Sequence, residues 1–429
     1  MKSIGEIIKK ERIKQNIKQV ALAKGICSTS YLSKIENQKI IPNDEIVELL
    51  IEKLKLELLD VSHTEEDSLI FTLSSLYKES LLNRNKNEIL KSLNNIDESI
   101  NFKDVNKYYY FQLYLFRIKL ATFDDINNLH EDFLILQMLE GKLELQQEFI
   151  LNVNMSLYYY YNNQNHKALP LLEQTLRFYK TIPIEEWEIA DFNNIISTFY
   201  LKSRNNVNSI KYANEAVEYY NSQLFFERSI DCYIKIGIAY KNLLDYNQAQ
   251  EIFSLAQRIS VKLKLSNKEG IIYHNLGSLY AVQENHKKAL EYYLHSFELR
   301  KIDRDIEGVL LTILSIVKEY SKQHNSSQLR IWSKEGLSII QRKNLSDNLS
   351  YYYHFSIYLS KETENFEDIL IKAIKHFEKI LDLRHVQKYS ILLADYYVSQ
   401  NKFKASGIYY KKAIEVLLKE RNYKSWEDI

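Results

Sequence analysis

Two stretches of this chain, "YIKIGIAYKNLLDYNQAQEIFSLAQRIS" and "YHNLGSLYAVQENHKKALEYYLHSFELR", align without a gap at an offset of 40 residues. Tyr233 falls on Tyr273, Ile236 on Leu276, Gly237 on Gly277, Tyr240 on Tyr280, Ala249 on Ala289, Phe253 on Tyr293 and Ala256 on Ser296. A fixed period of this kind means one supersecondary unit copied and stacked, each copy burying its apolar face against the next. The unit is a pair of helices, A and B. Gly237 and Gly277 let neighbouring helices approach closely, and Ala249 and Ala289 sit where A and B cross.

The frame recurs more weakly on both sides. Met155, Ser156, Tyr159, Ala168 and Leu172 belong to a copy beginning near 149, and Ile196, Ser197, Tyr200, Ser209, Ala213 and Ala216 to one near 190. Ile316, Val317 and Tyr320 mark a copy near 310, a degenerate one follows near 350, and Leu393, Ala394, Tyr397, Ser406, Tyr410 and Ala413 mark one near 387. The order large, Leu, Gly, Tyr on helix A and Ala, aromatic, Ala on helix B resembles the tetratricopeptide repeat. That resemblance implies a right-handed superhelix whose A helices line a groove. Composition agrees with an all-α chain, because three prolines and nine glycines in 429 residues are too few for the frequent turns of a β fold.

The overall charge of +1 hides an asymmetry: residues 1–40 hold nine basic and three acidic side chains, a local excess of +6. Positive charge so placed is what phosphate neutralisation on DNA requires. Ile4, Ile7, Ile8 and then Arg12 and Ile13 follow a 3 to 4 residue spacing, one apolar face of a first helix. A second runs from about Lys18 to Lys24, with Val20, Leu22 and Ala23 available for burial and Gly25 ending it. Ser28 has the chemistry to cap a third helix, anchored inward by Leu32 and Ile35. A tight turn then holds the third helix across the second with one face outward. Small hydroxyl and amide groups allow close approach to base edges, so the expected reading surface is Gln19, Ser28, Thr29, Ser30, Ser33, Lys34 and Asn37.

The stretch "IGEIIKKERIKQNIKQVALAKGICSTSYLSKIENQK" resembles the Xre/Cro-type helix-turn-helix, with Arg12 and Glu36 at the positions of that family's structural ion pair. Its short turn, "LAKGICS", is similar to that of peptide-responsive regulators of Gram-positive bacteria, and the whole chain resembles the superfamily of Rap, Rgg, NprR, PlcR and PrgX proteins. By length and repeat number it is most similar to NprR-type members. The resemblance implies a cytoplasmic homodimer that binds double-stranded operator DNA and is switched by a short signalling peptide in the repeat groove. Rap-type relatives use the same array to bind and dephosphorylate response regulators, which leaves that role as the alternative, beside a phage-encoded communication regulator.

Residues 43–59 complete the small domain and the polar run Asp60 to Asp67 is its expected boundary. The expected organisation is thus a helix-turn-helix domain over 1–62, linker and divergent helical repeats over 63–148, and tetratricopeptide repeats over 149–429. Groove-facing positions of the A helices supply Asn154, Asp191, Asn194, Lys235, Lys241, His274, Asn275 and Lys318. Asparagine can donate to and accept from a peptide backbone, and Lys235 or Lys318 can hold a carboxylate. Most of the 33 tyrosines fall at frame positions, where packing explains them. No nucleotide-binding, metalloprotease or nucleophile-elbow motif occurs, the ten histidines lack metal spacing, and Cys27 and Cys232 are far apart, so neither catalysis, metal, cofactor nor disulfide is expected. No run of about 18 apolar residues suggests a membrane span.

Overall fold

The structure is a computed structural model describing residues 4–37, 39–40, 42–56, 59–60, 63–83, 85–96, 100–122, 125–162, 164–344 and 349–420. The chain forms two compact units, Met1–Ala239 and Tyr240–Ile429. Both are helical, and the only strands among the described residues are a two-residue parallel pair, Leu59–Asp60 (β1) with Ile100–Asn101 (β2).

The first unit opens with α1 (Ile4–Lys14), α2 (Gln19–Ala23), α3 (Thr29–Glu36) and α4 (Asp44–Leu54). Ile4, Ile8, Leu22, Leu32, Ile35, Leu50 and Leu54 belong to its core, drawn from the apolar sides of all four helices. Gly25 takes φ 82°, the left-handed turn that the sequence requires between α2 and α3. Val20 departs from expectation and is 67% exposed. A five-residue helix buries a single side, and Leu22 with Ala23 occupies it.

Next come α5 (His63–Leu82), α6 (Lys86–Leu93), α7 (Val105–Thr122) and α8 (His130–Leu139), helices of uneven length that account for the weak repeat signal there. The polar run after α4 is not a loose tether. Asp60 lies in β1, and the carboxylate of Glu66 is buried, accepting from the backbone N–H groups of Lys103 and Asp104 and lying 3.6 Å from the ammonium of Lys107. A carboxylate that caps a neighbouring segment reads as solvent-facing in sequence because its partners lie 37 and 38 residues away.

Regular repeats follow: α9 (Leu145–Tyr161), α10 (Asn165–Leu176), α11 (Glu186–Lys202), α12 (Asn206–Ser222) and α13 (Phe226–Asn242). The second unit continues with α14 (Tyr246–Leu263), α15 (Ser266–Val282), α16 (His286–Ile302), α17 (Ile306–Lys322) and α18 (Ser326–Arg342). It ends with α19 (Leu349–Ser360), α20 (Phe366–Lys379), α21 (Leu383–Ser399) and α22 (Phe403–Glu420). Ala249, Phe253, Leu276, Ala289 and Tyr293 are all buried, as their frame positions predict. A Cβ built on Gly277 would lie 2.6 Å from the ring of Tyr293, so only glycine lets α15 and α16 meet at this distance.

The period also has a backbone cause. Arg204, Leu224, Leu244, Lys264, Glu284, Arg304, His324 and Asn344, spaced by 20 residues, all take left-handed φ between 51° and 65°. None is glycine, so each turn costs about 1–2 kcal/mol of local strain. Caps offset it at five of these turns: Asn205, Asp245, Asn285, Asp305 and Asn325 each accept the backbone N–H three residues on, at 3.0–3.3 Å. The helix-turn alternation is written in those acceptors as firmly as in the apolar frame.

Candidate functional site

The outward face of α3 is built by fixing its back. Arg12 donates from Nε to Glu36 Oε1 at 2.6 Å and from Nη2 to Oε2 at 2.8 Å, and from Nη1 to the carbonyl of Ile17 at 2.9 Å. Glu36 is fully buried, so this two-point pair ties α1 to α3 in a desolvated setting. Gln19 does not reach outward; its amide donates to Glu36 Oε2 at 2.7 Å and makes it part of the same clamp. Ser28 Oγ accepts the N–H of Tyr31 at 3.1 Å, the expected cap. Asn37 is likewise engaged, donating to the carbonyl of Ser33 at 2.8 Å and accepting from Lys9 Nζ at 3.1 Å. Ser30 and Lys34 are exposed without an internal partner among the described residues, and the partly buried Thr29 and Ser33 flank them.

Of the A-helix positions in the first unit, several are internal ties rather than an open face. Asn154 is fully buried and donates to the carbonyl of Leu113 at 2.9 Å, joining α9 to α7. Asp191 is held between two arginines that the frame did not flag, Arg117 at 2.6 Å and Arg228 at 2.7 Å, and Tyr220 Oη lies 3.0 Å from the latter. Asn194 and Lys235 do come together: Lys235 Nζ donates to the Asn194 carbonyl at 2.6 Å and to its Oδ1, which also accepts from Cys232 at 3.2 Å. Sequence spacing finds the positions on one helix and misses these partners from the next.

The second unit differs. Asn275 spends its amide on the carbonyl of Ile271, one turn back on its own helix. His274 approaches Thr312 Oγ1 at 3.1 Å, and burial, reinforced by Arg300, Lys241 and Lys318, pushes its pKa down to about 3, so it is a neutral imidazole. Lys241 donates to Ser278 at 2.8 Å. Lys318 has neither a hydrogen bond nor an ion pair among the described residues. Burial first, then the repulsion of Lys388 and Lys322, lowers its pKa to about 8, against a smaller opposing pull from Glu319. His354, at the same frame position two repeats beyond His274, lies near Lys318 as well; burial and the nearby His385, Lys318 and Lys388 depress its pKa to about 2, so it too is neutral. A partly desolvated ammonium with cationic neighbours is a site that gains by receiving a carboxylate.

Among the described residues no cluster of three His, Cys, Asp or Glu is placed to hold a metal, and no helix is long and apolar enough to cross a membrane.

Comparison with known proteins follows the same division. The helix-turn-helix family model matches residues 8–61 and the tetratricopeptide repeat model residues 271–303. The chain is similar to the transcriptional activator NprA of Geobacillus stearothermophilus, with 28% identity over 407 residues covering 92% of this chain and 98% of that protein. It is also similar to the response regulator aspartate phosphatase I of Bacillus subtilis (strain 168), with 24% identity over 77% of this chain and 84% of that one. Among solved structures, the apo form of the quorum sensor NprR from B. thuringiensis superposes with a TM-score of 0.63 at 19% identity, covering 82% of this chain and 99% of that one. NprR in complex with its cognate peptide NprX superposes with a TM-score of 0.61 at 18% identity, covering 84% and 99%. With a clamped helix-turn-helix at its start and a 40-residue helical period through the rest, this chain carries a helix-turn-helix domain and tetratricopeptide repeats, is similar along nearly its whole length to a transcriptional activator, and shares the fold of the quorum sensor NprR.

Proposed function

We propose that the protein is a transcription regulator whose α3 enters the major groove of operator DNA and whose repeats hold a short signalling peptide. The observation that carries the reading is the presence in one chain of two unanswered surfaces of the right chemistry. One is the outward face of α3 with Ser30 and Lys34; the other is the ammonium of Lys318 on the A-helix face. Lys34 is suited to a phosphate or a guanine edge and Ser30, with Thr29 and Ser33, to close approach on the bases. Lys318 is suited to a peptide carboxylate. Asn194 with Lys235 offers a carbonyl and ammonium pair that a peptide backbone can enter only by displacing it.

The names of the relatives support this reading, one being a transcriptional activator and one a quorum sensor solved with a peptide. A homodimer acting in the cytoplasm on a two-fold operator follows from it, with the peptide acting through its different affinity for two states of the protein. The test is a mobility-shift assay with promoter DNA from the protein's own locus, with and without the C-terminal peptide of a small neighbouring reading frame. A peptide-dependent shift that is weakened in Lys34→Ala supports the regulator. Absence of DNA binding in both states overturns it and favours the second reading, an array that binds a response regulator, which the phosphatase relative supports. That reading predicts co-elution of the full chain with a phosphorylated response regulator.

A further inference from the structure

Where the last turns of α16 and α18 come alongside the first turn of α17, a cavity of about 330 Å3 opens in the second unit. Its floor is apolar, formed by Phe297, Ile306, Val309 and Ile339. Phe297 is held by Trp332, whose ring meets it edge-on at 5.1 Å, so the floor is a fixed surface continuous with the core. The rim is cationic: Lys301, Arg304, Arg342 and Lys343 face Glu335, the single carboxylate among the lining residues described.

Part of this charge is answered within the chain. Arg342 donates to Glu335 at 3.1 Å, and Arg300, deeper in the wall, to Asp305 at 3.2 Å. Lys301 lies 5.6 Å over the ring of Phe297. Arg304 and Lys343 are exposed and have no ion pair or hydrogen bond among the described residues. Basic side chains in the last turn of a helix offset its exposed carbonyls, which accounts for Arg300, Lys301 and Arg342. It does not account for Arg304, which stands beyond the end of α16 in a left-handed turn at φ 59° and lines the same cavity.

An inorganic anion would answer the cations and leave the floor wet; a neutral apolar molecule would cover the floor and leave the cations unanswered. A volume of this size falls at the lower end of small-molecule sites, roughly 300–1,000 Å3. We propose that this cavity binds a small amphipathic anion, an acyl or aromatic body on the Phe297 floor with its carboxylate or phosphate head between Arg304 and Lys343. None of the lining residues is among those proposed to hold the peptide, so the site stands apart from that reading.

The test is calorimetric titration of the full-length protein with decanoate and with decyl phosphate, using 1-decanol and inorganic phosphate as controls. Saturable binding of an amphipathic anion is expected, with both controls weaker by about tenfold or more, the scale of one charge-assisted hydrogen bond. The tighter of the two heads identifies carboxylate or phosphate as the natural one. Arg304→Gln combined with Lys343→Gln, both exposed, should weaken the anion by about tenfold or more and leave decanol unchanged, with an unaltered melting curve. Trp332 fluorescence should change on binding and give a second readout local to the floor. The proposal is overturned if neither amphipathic anion binds, if decanol binds as tightly as decanoate, or if the double variant retains wild-type affinity.

Discussion

In the first unit Arg117 and Arg228 are buried and share Asp191 at 2.6 and 2.7 Å, and Lys235 rests on Asn194. In the second, Lys318 lies among Lys388, Lys322 and His354 with no ion pair of its own. Both units carry cations on A helices, but in one they close the structure and in the other they leave it electrostatically incomplete. Taking a charge out of water is costly unless a partner stands ready, so a paired set is architecture, and an unpaired one gains if a ligand brings the counter-charge, as proposed for Lys318. Position in the repeat frame does not distinguish the two; the partner does.

The comparison breaks most visibly at Asp191. Asp191→Asn takes the counter-charge from the buried Arg117 and leaves the buried Arg228 only the more distant carboxylate of Asp231 at 3.9 Å, and a loss of about 3–5 kcal/mol of stability is expected. Chemical denaturation of wild type and variant measures it. An unchanged midpoint together with lost peptide binding would reverse the assignment and make Asp191 a ligand contact.

Lys318→Met should behave in the opposite way. Thermal stability holds or rises, because a desolvated charge has been removed, while peptide affinity falls by roughly 10- to 100-fold, the worth of a hydrogen bond to a charged group. The pH dependence sharpens the same point. Only protonated Lys318 attracts a carboxylate, and its pKa in the free protein is about 8. Peptide affinity is therefore flat well below that value and declines as pH rises through it. Fluorescence anisotropy with a labelled peptide should show this decline in wild type and lose it in Lys318→Met. His274 and His354, held neutral by burial, contribute no inflection near pH 6.5.

On the DNA side the expected changes are smaller. Lys34→Ala should lower affinity for all sequences and reduce the slope of log affinity against log salt by about 1 if its contact is to phosphate. Loss confined to the specific operator would place Lys34 on a base instead. The smallest effect belongs to the repeat turns, where Asn285→Ala removes a cap worth about 1 kcal/mol. A melting shift of a few degrees, with peptide and DNA binding intact, is the expected signature.

The helix-turn-helix was legible residue by residue because its determinants are local: Gly25 in its turn, Ser28 at its cap, Leu32 and Ile35 inward. The repeat was legible through Gly277, Ala289 and Tyr293 for the same reason. The Asn and Asp caps at positions 205, 245, 285 and 325 share the 40-residue offset and were available to the eye as acceptors, although the apolar frame alone does not use them. The surfaces were harder. Gln19 and Asn37 carry the chemistry of base readers but are spent on Glu36, Ser33 and Lys9.

What the sequence by itself determined is the helical class, the period, the turn positions and the inward and outward faces of α3, since each depends on residue type at short spacing. Only the tertiary structure decided which polar residues are occupied. Asn154 finds its acceptor 41 residues away, and Asp191 finds its arginines 74 and 37 residues away. Those partners come from other helices of the stack, and whether a buried charge is answered or left open is settled where the helices pack.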